Sequence, residues 1–203
     1  MKTIILTKGY STIVDDDIYE WAKEFNWLYT NGYAVRMGKQ SDGRRNRKFV
    51  YLHKEILVFK FGYKDLEGDH IDRNRLNNLT VNLRWCTSRE NSCNIALKIG
   101  KSKYKGVRTG KKGKWDAAVS NYGKSIYIGR FTTEAEAAKA YDKAALKYQK
   151  EFAYLNFPDL KNDYLYELLK DQEKEKERLE LININILKLL SLQNKEKEKQ
   201  IGI

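Results

Sequence analysis

Asp69 and His70 stand side by side in GDHIDRNRLNNLTVNLRW, in a chain that holds one other histidine. A carboxylate is a hard oxygen ligand suited to a cation such as Mg²⁺. An imidazole, with an ordinary pKa of about 6.5, is largely neutral near pH 7 to 8 and able to take a proton. Those two groups supply much of what hydrolysis of a phosphodiester requires: a base for water, a divalent cation to offset charge on the phosphoryl and leaving oxygens, and rigid geometry for in-line attack. A lone Asp-His pair is often only a satisfied turn, so the surrounding elements decide its meaning.

In an extended strand, neighbouring side chains face opposite sides unless a bend re-aims one of them. The strand carrying Asp69 and His70 is followed by a loop and by LRWC, which reads as a second strand. TSRENSCNIAL then reads as a helix begun by Thr87 or Ser88. Asn91 falls in the first turn of that helix, where its amide oxygen could complete a metal site opposite Asp69. Asn82, just before the second strand, can fix the orientation of the imidazole. Asn77 and Asn78 are read as turn and backbone-bonding residues, although a register shifted by a few positions would give Asn78 the place of Asn82.

Upstream, residues 1–52 read as a small mixed α/β unit. Asp15 or Asp16 can cap a short helix through Trp21 and Ala22, and WLYTNGYAVRM is a hairpin signal with Asn31-Gly32 at its turn. The loop GKQSDGRRNRK leads to the strand FVYL; its Arg44, Arg45, Arg47 and Lys48 could touch phosphates or simply be solvated. His53 opens HKEILVFKF, a short helix or bent strand with Ile56, Leu57 and Phe59 to Phe61 packing inward. His53 itself is read as structural.

The chain has 203 residues, enough for one ordinary domain or a few small ones, and a net charge of +12. No apolar run approaches the roughly 20 residues that span a bilayer, and the amino terminus lacks the apolar core of a signal peptide, so a cytoplasmic protein is expected. Cys86 and Cys93 lack paired CxxC spacing and read as reduced thiols. The basic excess is concentrated: residues 101 to 130 hold nine Lys or Arg and one acid, Asp116. Lysine can serve solubility alone, but here it is interleaved with aromatics, which favours a nucleic acid as partner.

YLHKEIL, GDHIDRNRLNNLTVNLRWCTSREN and the following CN resemble the HNH endonucleases encoded by phages and mobile introns. That resemblance implies two strands and a helix gripping one divalent cation, Mg²⁺ with Mn²⁺ as a substitute. Asp69 and Asn91 would be its ligands, His70 the general base and Asn82 the residue that positions the base. The third letter of the motif is asparagine here, an H-N-N variant found in the phage-type branch.

Downstream, YKGVR, KWDAAVS and SIYIGRF read as three strands separated by Gly-rich turns, and a helix follows, begun by a Thr133/Glu136 capping box. Alternation puts Trp115, Ala117 and Val119 on the inner face with Ile126 and Ile128. Lys105, Arg108, Lys114 and Tyr127 then line an exposed basic face for double-stranded DNA. YKGVR, GKWDAAV, YIGRFTTEAEAAKAYDKAA and FAYLNFP resemble the ethylene-response-factor (Apetala-type) DNA-binding domain. Several outward positions that are arginine or glutamate in the plant proteins are here Ala118, Ser120 and Ser125, which implies reliance on phosphate contacts and DNA shape.

Past Pro158 the chain reads as a long helix in which Leu179, Ile182, Ile186 and Leu189 keep apolar spacing for barely two heptads. It either supports a weak homodimer or folds back on a monomer. The expectation is an α+β protein of small modules: a mixed unit (1–52), a catalytic module (53–100), a sheet-helix DNA-binding domain (101–158) and a helical tail (159–203). Its expected activity is that of a site-preferring, homing-type DNA endonuclease in a bacterial host, encoded by a phage or mobile element. The competing reading is a non-catalytic DNA-binding regulator.

Overall fold

The computed structural model describes residues 1–38, 48–95, 101–121 and 123–201, with side chains through residue 188. Arg44, Arg45 and Arg47 lie outside the described residues. Strands β1 (Lys2–Ile5) and β2 (Ser11–Val14) pair antiparallel, and helix α1 (Asp16–Ala22) follows. Strands β3 (Leu28–Thr30), β4 (Tyr33–Met37) and β5 (Phe49–Tyr51) form a second sheet in the order β3-β4-β5. The β3-β4 turn is the expected one, with Asn31 at φ 51° and Gly32 at φ 86°, the paired positive angles that match the twist of a tight hairpin.

Helix α2 (Leu52–Phe61) settles the choice left open for HKEILVFKF in favour of a helix. Leu52, His53, Ile56 and Leu57 are buried, whereas Phe59 and Phe61 are 62% and 52% exposed. At about 100° per residue, one helical face cannot hold both sets, so the expected inward packing of the phenylalanines fails. Strands β6 (Glu67–His70) and β7 (Leu83–Cys86) pair antiparallel, with His70 opposite Leu83. Helix α3 (Ser88–Cys93) closes this unit; Thr87 and Glu90 form a reciprocal capping box at its start.

The chain divides into two compact units. The first comprises residues 1–103, 120–124 and 149–154; the second comprises 104–119, 125–148 and 155–203. Residues 1–52 and 53–100 were expected as separate modules, yet in the first unit they share one core. Ile4, Leu6, Val14, Ile18, Ala22 and Leu52 pack with Ile56, Leu57 and Leu83. Each fully buried aliphatic side chain there contributes roughly 1.5–3 kcal/mol, and residues 53–100 supply only Ile56, Leu57 and Leu83 to that buried cluster. Asp15 occupies the N-cap position of α1 but does not bond its amides. Its Oδ2 accepts from the Thr80 amide at 2.7 Å and ties the helix start to the β6-β7 loop.

In the second unit, β8 (Val107–Thr109), β9 (Trp115–Asn121) and β10 (Lys124–Phe131) form a sheet in the order β10-β9-β8, followed by α4 (Glu134–Gln149). Val107, Ala117, Ala137 and Ala138 form its buried centre, with Trp115, Ile128 and Phe131 packed around them. The Thr133/Glu136 box is present, each residue's amide donating to the other's side chain. Gly106 is obligatory: it sits at φ 75°, and a Cβ there would fall 1.8 Å from the Tyr141 ring. Helix α5 (Lys161–Ile201) begins pinned by the buried Tyr164 and by Lys143 paired with Glu167 and Asp171. Leu179, Ile182 and Ile186 are exposed farther along, and the side chain of Leu189 is outside the described residues. No helix among the described residues is long and apolar enough to cross a membrane.

Candidate active site

Asp69, His70 and Asn91 line one cavity of about 360 Å³, together with Tyr33, Gly68, Arg73, Arg75, Asn94 and Ile95. Asp69 and His70 come from the end of β6, and Asn91 comes from α3. Gly68 lets α2 approach the strand, because a Cβ at that position would be 2.6 Å from His53 Cδ2.

The imidazole of His70 is buried. Its Nε2 lies 3.2 Å from Asn78 Oδ1. The Asn78 amide nitrogen is already spent on Thr12 Oγ1 (2.8 Å) and the Arg75 carbonyl (3.3 Å), so the atom facing His70 is the amide oxygen. An amide oxygen only accepts, which places the hydrogen of the neutral ring on Nε2 and leaves the lone pair on Nδ1. Burial lowers the His70 pKa, against the opposing pull of Asn78, Asp72 and Asp69. The ring is therefore a neutral acceptor at neutral pH.

His53 packs 4.9 Å from His70, ring to ring, and against Tyr33 and Tyr51. Burial, and secondarily the nearby charge of His70, drives its pKa down to about 3. A permanently neutral ring is the one that can be packed beside His70 without repelling it in either protonation state.

Asn82 was expected at the imidazole, and the structure puts it elsewhere. Its Oδ1 accepts from the Asp72 amide (3.0 Å), and its Nδ2 donates to Asp72 Oδ1 and the Asn77 carbonyl (both 2.8 Å). It ties down the loop behind His70, while Asn78 makes the contact. Both asparagines are buried and only eight and twelve residues past His70; spacing could not tell which amide turns inward.

Asp69 is buried, and both of its oxygens accept hydrogen bonds. Arg84 Nε and Nη2 both donate to its Oδ2 at 2.9 and 2.8 Å, and Asn94 Nδ2 lies 3.2 Å from Oδ1 and 3.1 Å from Oδ2. Asn91 Nδ2 donates to Glu67 Oε2 at 2.7 Å, which turns the amide oxygen away from that carboxylate. The same hydrogen bond, with one from Ser88, keeps the Glu67 pKa below the usual carboxylate range. Arg84, Asn94 and Glu67 escaped the reading of the sequence because their roles arise only when β6, β7 and α3 are brought together.

One carboxylate and one amide oxygen on a single cavity suit a hard divalent cation that keeps most of its water or takes phosphate oxygens. They do not suit a cation that needs a full protein cage. Among the described residues, no group of three His, Cys, Asp or Glu side chains is gathered for a metal. Cys86 is buried beside the site, with its thiol pushed up to about 12 by burial, and Cys93 is likewise unbridged.

On the sheet of the second unit, Arg108, Lys114 and Tyr127 are exposed as expected. Lys105 is not a fully exposed member of that face: it is half-buried, its amide donating to Asn156 Oδ1 (2.7 Å) and its carbonyl accepting from Asn156 Nδ2 (3.1 Å). Asp116, opposite Arg108 in the register, is neutralised by Arg130, whose Nε and Nη2 meet its two oxygens at 2.7 and 3.1 Å.

Residues 50–93 match the family described as HNH endonuclease. An uncharacterized HNH endonuclease of Acanthamoeba polyphaga mimivirus is 32% identical over 152 residues, 73% of this chain and 76% of the relative. An AP2/ERF and B3 domain-containing transcription factor of Arabidopsis thaliana is 39% identical over 66 residues, 32% of this chain and 19% of that protein. APETALA2-like protein 2 of Oryza sativa is 45% identical over 60 residues, 29% of this chain and 14% of the relative. The similarity to the plant factors is thus confined to a segment, whereas the mimivirus relative aligns across most of both chains. With Asp69, His70 and Asn91 on one cavity inside the matched residues, the chain belongs to the HNH endonuclease family.

Proposed function

We propose that the protein is a metal-dependent, site-preferring DNA endonuclease of the homing type, and that it cuts phosphodiesters to leave 5′-phosphate and 3′-hydroxyl ends. The observation that carries this reading is the shared cavity of Asp69, His70 and Asn91, with Arg73 and Arg75 on its wall. His70 takes a proton from water through Nδ1, the nitrogen that Asn78 leaves free. Asp69 and Asn91 are the ligands of one divalent cation, Mg²⁺ or Mn²⁺; when bound it supplies positive charge to the phosphoryl group and the departing 3′-oxygen. Arg73 and Arg75 face the phosphate backbone. Asn82 keeps the loop behind His70 in register, an indirect form of the positioning role assigned to it.

The second unit is proposed as an ethylene-response-factor type module that holds duplex DNA by its sheet. Arg108, Lys114 and Tyr127 form the contact face, and Lys105 sits at its margin. The segmental identity to plant AP2 proteins and the local basic excess support this role. The proposed boundaries assign a mixed α/β unit to residues 1–52, the nuclease to residues 53–100 and the DNA grip to residues 101–158, with residues 159–203 as a helical tail that serves a monomer or a weak homodimer. The mimivirus relative supports a viral or mobile origin for the gene; the protein is proposed to act in the cytoplasm of a bacterial host.

Supercoiled plasmid bearing a native target should be nicked or linearised with Mg²⁺ or Mn²⁺ and left intact in EDTA. The His70→Ala chain should bind the same DNA without cutting it. Cutting by His70→Ala at the wild-type rate would overturn the assignment, and wild-type binding without any cutting would leave a DNA-binding regulator.

A further inference from the structure

Arg84 and Arg73 each lie over an aromatic ring of one short segment, residues 149–154. The chain reaches this segment only after the three-stranded sheet and α4, yet it belongs to the first unit. The guanidinium carbon of Arg84 is 4.0 Å from the centroid of the Phe152 ring, and its Nη1 donates to the Glu151 carbonyl at 2.7 Å. Its other two nitrogens hold Asp69 Oδ2. All three guanidinium nitrogens and one face of the group are therefore engaged. Phe152 is buried, and the turn Lys150–Phe152 packs on α3. Arg73, at φ 66° on the cavity wall, has its guanidinium carbon 4.5 Å from the centroid of the Tyr154 ring.

We infer that residues 149–154 are a positioning strap for the nuclease site: Phe152 and the Glu151 carbonyl fix Arg84, and through it the Asp69 carboxylate, while Tyr154 fixes Arg73 at the cavity wall. A guanidinium attached to a single carboxylate oxygen can swing about that contact. Stacking on a ring and a carbonyl on the third nitrogen remove this freedom. With Oδ2 held by Arg84 and Asn94 Nδ2 3.2 Å from Oδ1, the carboxylate is fixed in one rotation, and Oδ1, which Arg84 does not touch, is the oxygen a cation would take. Partners that orient a ligand in this way typically govern metal affinity by about 10- to 100-fold. On this account residues 53–100 do not complete their own active site. The inference rests on the proposed role of Asp69 as a cation ligand.

The test uses the full-length chain with Phe152→Ala, Phe152→Leu and Phe152→Tyr, and two measurements. In the metal-free protein, the nitrogen-15 NMR signal of the Arg84 Nε–H should exchange slowly with solvent. Exchange should accelerate at least about tenfold in the alanine and leucine variants and stay slow in the tyrosine variant, which keeps the aromatic face. Mn²⁺ binding followed by electron paramagnetic resonance, without DNA, should weaken by about 10- to 100-fold in alanine and leucine and recover in tyrosine. The leucine variant keeps an apolar side chain that fills more of the buried space than alanine does, so it reports on the ring if alanine does not fold. Wild-type Arg84 exchange and wild-type Mn²⁺ affinity in Phe152→Leu would overturn the strap. If Asp69→Ala binds Mn²⁺ as the wild type does, the cation-site reading falls instead, and the Arg84 signal alone decides the strap.

Discussion

Around His70 the polar side chains are buried or half-buried and engaged: Asn78 on the imidazole, Arg84 and Asn94 on Asp69, Glu67 on Asn91. On the β8-β9-β10 sheet, Arg108 and Lys114 stand in solvent, and the buried acid between them is silenced by Arg130. The contrast follows from the work proposed for each. Proton transfer and in-line attack tolerate little misplacement, so each reacting group needs a partner that removes its freedom. A phosphate grip works through counterion release and gains little from rigidity, so flexible surface cations suffice.

The contrast can be broken at its strongest point with His70→Ala. Cleavage under single-turnover conditions should fall by roughly 10³-fold, within the range for a lost general base, with DNA affinity in EDTA unchanged. Next comes Gly106→Ala, which forces a Cβ into Tyr141 at positive φ. It should destabilise the second unit by about 3 kcal/mol in denaturant unfolding, and the loss should appear as weakened DNA binding. Asn78→Ala against Asn82→Ala sharpens the division between the two amides. The first should slow cleavage by about 10- to 100-fold through a misplaced imidazole. The second should cost about 1–3 kcal/mol in stability, because the buried loop loses its partners, with a smaller direct effect on rate. The smallest effects belong to Arg108→Ala and Lys114→Ala: a few-fold loss of affinity each, with the slope of log affinity against log salt reduced by about one. A large, salt-independent loss at either position would show that the sheet reads bases after all.

Much of the nuclease site was legible because its signals are short. An Asn31-Gly32 turn, a helix begun at Thr87 and a strand over LRWC depend on neighbours within a few residues, and all three stand as read. The reading failed where one helix had two apolar faces to choose from, as with Phe59 and Phe61, and where several asparagines competed for one imidazole. It also missed Asp15, whose carboxylate left the helix it begins for an amide 65 residues away.

The amino-acid sequence by itself determined the local frames: a strand ending in Asp69 and His70, a helix presenting Asn91, and a basic sheet braced by an alanine-rich helix. Backbone propensity, capping and period suffice for these, since each involves energies settled within a turn or two. Only the tertiary structure decided that Asn78 touches His70, that residues 1–52 share a core with residues 53–100, and that Phe152 and Glu151 meet Arg84. Those outcomes depend on which distant surfaces exclude water together, and residues up to 68 positions apart leave no periodic trace of such a choice.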